Sequence, residues 1–134
     1  LGDFVREYRG DCHNATWVAA GLTATDIGML TELYWEMPSR SYSRTRGWSD
    51  DEFDASEQHL RDLGHLDGSG SGTHLTQQGR HAREQLEVAT DEQMLPVLIA
   101  LGDDVEELLA LLAPWGVTIR DGRGYRRSGP HDLA

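Results

Sequence analysis

The sequence predicts a mainly α-helical domain carrying one small β-hairpin, and three observations predict it. Apolar residues recur at helical spacing in several separate segments. Two segments, Thr23-Ala24-Thr25-Asp26 and Ser49-Asp50-Asp51-Glu52, carry residues that can cap a helix start reciprocally. After the second comes a Gly/Ser tip, Gly68 to Gly72, flanked by His65-Leu66-Asp67 and Thr73-His74-Leu75. Helix, hairpin and helix in that order make a winged helix-turn-helix, with the helix after Ser49 in the reading position.

The first helix is expected from about Asp3 to Ala20, with Gly21 as its stop. Phe4, Tyr8, Cys12, Ala15 and Ala19 form its apolar stripe, and Arg6, Arg9, Gly10, His13 and Trp17 its other side. The second helix follows Thr23, carries Ile27, Leu30, Leu33, Tyr34 and Met37 on one side, and ends before Pro38. Ser39 to Arg46 is expected as a short helix closed by Gly47. Phe53, Ser56, Leu60 and Leu63 carry the reading helix to Gly64. Thr76 opens a long helix with Ala82, Leu86 and Ala89 on one face. Thr90 to Gln93 reads as a fresh cap, which puts Pro96 near a new start or a kink. Beyond Gly102, Val105, Leu108, Leu109, Leu111 and Leu112 make a leucine-dense terminal helix up to Pro114, suited equally to a core or to a dimer seam. The winged-helix domain is bounded at residues 1–115. Residues 116–134 are expected as a flexible Arg/Gly-rich tail.

A chain of 134 residues with 38% hydrophobic and 26% charged residues is a globular domain large enough to bury a core. It lacks the ~18-residue apolar run a membrane span needs, and no secretion leader is visible. The single cysteine, Cys12, excludes an internal disulfide framework and points to the reducing cytoplasm. Cys12 reads as a small buried residue rather than a nucleophile. The net charge of −11 is unevenly spread. Residues 1–48 hold five Arg against six acids, residues 49–112 three Arg against fifteen acids, and residues 113–134 four Arg against two acids. Asp51, Asp54 and Asp62 occupy the outer face of the reading helix against Arg61. A phosphate backbone is drawn to cations, so nucleic acid is an unlikely partner on charge alone.

No phosphate loop, nucleophile elbow or zinc-binding helix motif occurs, and no two of the six histidines have i, i+4 spacing. No metal site and no cofactor are expected. Two segments carry functional chemistry instead: Arg9-Gly10-Asp11-Cys12-His13 and Arg46-Gly47-Trp48. An arginine holds a carboxylate through a fork of hydrogen bonds, and a histidine exchanges a proton near neutral pH. Asp11 could orient it, and a tryptophan beside a helix start could stack on a flat ligand. Each has a plainer alternative. Asp11 could tie down a backbone end, Arg46 could cap carbonyls, and Trp48 could staple the helix start onto Phe53.

The same segments, Arg9 to Ala15 followed by Val18-Ala19-Ala20-Gly21-Leu22, then Arg46 to Glu52, resemble an actinobacterial helix-turn-helix family of mostly unknown function, distantly similar to the MarR regulators. The match continues through Leu60, Gly64, Leu66-Asp67, Leu75-Thr76, Gly79-Arg80, Arg83 and Glu87 to Asp91. The resemblance implies a MarR-like winged helix with end helices available for a homodimer. Typical members carry a further helical segment before this domain, so the chain is expected to be a shortened relative or a C-terminal portion.

Arg9, Asp11, His13, Arg46 and Trp48 are therefore expected to line a small-molecule site. In the leading reading the fold is turned to ligand binding that regulates or assists specialised metabolism. The arginines grip an anion, Asp11 orients His13, and Trp48 forms a wall. The alternatives are a MarR-like DNA-binding regulator and a small tailoring enzyme using Asp11 and His13 as acid and base.

Overall fold

The computed structural model describes residues 2–122 and 124. The described residues form five α-helices and a two-stranded hairpin: α1 (Gly2–Ala19), α2 (Ala24–Tyr34), α3 (Asp50–Asp62), β1 (Leu66–Asp67), β2 (His74–Leu75), α4 (Gln77–Leu101) and α5 (Asp104–Asp121), with a 3-10 turn at Ser43–Arg46 before α3. Both capping boxes form, and each has the same chemistry. Thr23 and Ser49 accept the backbone N–H three residues on, while Asp26 and Glu52 accept the N–H of the capping residue. β1 and β2 pair antiparallel, Leu66 opposite Leu75 and Asp67 opposite His74. Gly79, in the first turn of α4, lies so close to the hairpin that an added Cβ would meet the His65 carbonyl oxygen at 2.1 Å.

The core lies where α2 packs against α3 and α4. Met29, Leu30, Phe53 and Leu60 are fully buried, joined by Ile27, Leu33, Leu66 and Leu86, with Trp17 and Trp48 packed against them. Two buried carboxylates on α2 organise the surroundings. Asp26 accepts from Thr23 N, Ser56 Oγ and His59 Nδ1, and so ties α2 to α3. Glu32 accepts the backbone N–H groups of Arg40 and Ser43.

That second contact explains one departure from expectation. The Ser39–Arg46 helix shrinks to the 3-10 turn because the N–H groups of residues 40 and 43 go to Glu32 rather than to helical carbonyls. Arg40 takes a left-handed φ of 61°, and Glu36 one of 57°, which ends α2 at Tyr34, short of Pro38. The expected cap at Thr90 is absent, because Thr90 Oγ1 donates back to Leu86 O at 2.7 Å and α4 runs on through Pro96. Likewise α5 runs through Pro114 to Asp121, so the expected tail boundary at residue 116 falls inside a helix. Both prolines are exposed, where water can satisfy the carbonyl each leaves without a donor. Residue 123 and residues 125–134 of the expected tail lie outside the described residues.

The apolar stripe drawn for α1 is also corrected. The helix buries Cys12 and Thr16 against α4, Phe4 is 76% exposed, and Trp17 turns toward the core. A helix that covers only one neighbour needs a narrow buried strip, and here half of it is polar.

Candidate functional site

Arg9, His13 and Trp17 stand four residues apart on α1, so they share one face, and that face looks across at α2 and α4. α2 brings up Ile27, Gly28 and Thr31. Gly28 lets the 3-10 turn approach, since a Cβ there would meet Ser43 Cβ at 3.2 Å. The turn supplies Tyr42, Ser43 and Arg46, followed by Trp48, and α4 supplies Arg83 and Glu87. Together they enclose a pocket of about 360 Å³. Four of the five residues singled out in the sequence, Arg9, His13, Arg46 and Trp48, line it together.

The fifth does not. Asp11 is exposed, is not part of the pocket wall and makes no hydrogen bond or ion pair among the described residues. On a helix, positions two apart point to different sides, so Asp11 and His13 form no acid–base dyad. The carboxylate that faces His13 is Glu87, 3.9 Å from Nδ1.

Glu87 is the electrostatic centre of the pocket. Arg83 Nη1 lies 2.6 Å from Oε1 and Arg9 Nη2 lies 2.8 Å from Oε2, while Arg9 also reaches Asp91 at 3.4 Å. Arg83 is anchored further by Nε donating to Thr31 Oγ1 at 3.2 Å. Burial alone would raise the Glu87 pKa, but the two guanidiniums outweigh it and hold the carboxyl below its ordinary value. His13 goes the other way. Burial pushes its pKa down, and Arg83 and Arg9 push in the same direction against the pull of Glu87, so the imidazole stays neutral.

Three guanidiniums thus face one carboxylate inside a chain of strongly negative net charge. Arg46 is the one without an ion-pair partner among the described residues; its guanidinium lies 6.0 Å over the Tyr42 ring. Two buried donors on the wall, Trp48 Nε1 and Ser43 Oγ, also find no hydrogen-bond partner among the described residues. The Trp48 ring is also packed against the buried core. The sequence reading missed Arg83, Glu87, Ser43 and Trp17. The i, i+4 spacing of Arg83 and Glu87 was the available signal for the first two.

The outer face of α3 differs from the simple charge count. Arg40 bridges Asp54 at 2.7 Å and Glu57 at 2.8 Å, Arg44 holds Asp50 at 2.8 Å, and Arg61 turns back to Glu57 at 2.6 Å. Among the described residues no cluster of three or more His, Cys, Asp or Glu side chains could hold a metal ion. Among the described residues no helix is long and apolar enough to cross a membrane.

A model of a helix-turn-helix family matches residues 1–126. The chain belongs to that family. The fold is also similar to the crystal structure of a Mycobacterium tuberculosis MarR family protein, with a TM-score of 0.57 and 20% identity over 86% of this chain and 87% of that one. The architecture is therefore a MarR-like winged helix. No curated protein matches the chain in sequence. Family and fold keep nucleic acid among the partner classes, so its exclusion on charge alone is not supported.

Proposed function

We propose that this chain is a regulator-like winged-helix protein whose pocket takes a small planar anion. The observation that carries the reading is the convergence of Arg9, His13, Arg46 and Trp48 on one cavity where cations outnumber carboxylates three to one. Arg9 and Arg83 already share Glu87, which leaves the Arg46 fork as the partner for an incoming carboxylate. Trp17, Tyr42 and Trp48 offer flat apolar walls. Benzoate has the matching chemistry, one ring and one carboxylate. Millimolar benzoate should raise the Tm of the protein, because a ligand that binds only the folded state stabilises it. Arg46→Ala should weaken that response about tenfold or more in ligand concentration. Equal stabilisation of both proteins would remove the reading.

Duplex DNA as a second partner is favoured by the family and by the arginines that neutralise Asp50, Asp54 and Glu57 on α3. It calls for salt-sensitive retardation of DNA, and none at low salt would dispose of it. The partner proposed for α5 is a second copy of the chain. That helix buries no side chain, and Leu109, Leu112 and Trp115 stand exposed, as does Ile99 of α4. Sedimentation of a monomer at micromolar concentration would exclude the dimer.

A further inference from the structure

We propose that the pocket takes up its anion together with one proton from solvent, and that the proton goes onto Nε2 of His13. The proposal rests on the reading of the pocket as an anion site and adds how that site is regulated. Its first support is hydrogen-bond accounting. Thr90 Oγ1 carries a single hydrogen, and that hydrogen is given to Leu86 O at 2.7 Å. The 3.2 Å contact between His13 Nδ1 and the same oxygen therefore has Nδ1–H as its donor. The neutral ring is fixed as the Nδ1–H tautomer, and the lone pair lies on Nε2, which makes no hydrogen bond among the described residues.

The second support is the charge around the ring. α1 contributes Arg9, α4 contributes Arg83, Glu87 and the Asp91 that Arg9 also reaches, and the 3-10 turn contributes Arg46 to the same pocket wall. α2 contributes Ile27, Gly28 and Thr31, none of which titrates in this range. Without ligand, burial and the two neighbouring guanidiniums keep the imidazole neutral. A carboxylate entering the pocket offsets those cations and adds a negative charge beside the ring. If it draws Arg9 off Glu87, the freed Glu87 carboxylate is already 3.9 Å from Nδ1. Both changes favour the imidazolium, whose new N–H then has an anion to bond. The Thr90 contact is kept throughout, because Nδ1 remains a donor in either state.

The test is calorimetric titration of benzoate into the full chain near neutral pH, in three buffers of different ionisation enthalpy. A slope corresponding to about half a proton or more taken up per benzoate is expected. The affinity should rise as pH falls from about 7.5, by at most tenfold per unit, the limit for one linked proton. His13→Asn keeps a group able to bond Thr90 but cannot take the proton. It should bind more weakly at the acid end, with an affinity nearly independent of pH and a slope near zero. Benzoate binding with no buffer dependence overturns this inference while leaving the pocket reading intact. Proton uptake that persists in His13→Asn also overturns it and places the proton on Glu87. Absence of benzoate binding to the wild type overturns the pocket reading, and this inference with it.

Discussion

Replacing Asp26 with Asn should cost the fold about 3 kcal/mol. The carboxylate is fully buried and accepts three hydrogen bonds: from Thr23 N at 2.7 Å, from His59 Nδ1 at 3.0 Å and from Ser56 Oγ. An asparagine of the same shape has one carbonyl oxygen for those donors and turns an N–H₂ group toward one of them. The bonds from Thr23 N and His59 Nδ1 lose their charge assistance, about 1 kcal/mol each, and the Ser56 hydroxyl must rotate to accept from the new N–H₂ and gives up its own acceptor, about 1 kcal/mol more. Against a total stability of about 5–15 kcal/mol this is large, and it corresponds to a fall in Tm of roughly 10 °C. Urea titration followed by tryptophan fluorescence measures it, with Ser56→Ala as the companion. That variant removes one donor but leaves the carboxylate two partners, so about 1 kcal/mol is expected. If Asp26→Asn lost less than about 1 kcal/mol, the claim that this carboxylate fastens α3 to α2 would be wrong.

Two further outcomes follow from the same structure. Gly79→Ala drives a Cβ into the His65 carbonyl, so α4 must back away from the hairpin; a loss of about 2–3 kcal/mol is expected by chemical denaturation, and a neutral result would refute the close approach. Stability should fall as pH drops below about 7, because burial holds His13 and His65 below the unfolded value near 6.5, so the unfolded chain gains protons first. Glu57 and Glu87, both held below their ordinary value by arginines, continue the loss in the same direction below about 4.5. A melting series across pH checks this, and His13→Asn should flatten part of the fall between neutral pH and about 5.

The parts of this fold that depend on a few adjacent residues were legible in the sequence. The two capping boxes, Gly21, Gly47 and Gly64 as helix stops, and the Gly/Ser tip of the hairpin all stand where local chemistry placed them. What failed depends on partners distant in the chain. Glu32 takes the N–H groups of Arg40 and Ser43 and prevents a helix there, and no local pattern announces that. Pro96 read as a new start or a kink and Pro114 as a stop, yet α4 and α5 run through them, and both prolines lie on exposed faces. The candidate site divides in the same way. Arg9, His13, Arg46 and Trp48 were drawn from two short segments and meet in one pocket, while Asp11 fails because its helical position turns it to solvent. Glu87, the residue that sets the charge of the site, sits 74 positions from His13 in the chain and becomes visible only once α1 and α4 pack. The acidity of α3 was read correctly as composition, but the arginines that answer it come from the preceding loop.

The central claim is that the pocket between α1, α2, the 3-10 turn and α4 holds an anion, and the indole N–H signals of the four tryptophans test it most directly. In a ¹H–¹⁵N spectrum, benzoate should shift the Trp17 and Trp48 indole resonances, because both rings line the pocket, with Trp35 and Trp115 unmoved. Shifts confined to Trp35 or Trp115, or none at saturating benzoate, would contradict the account.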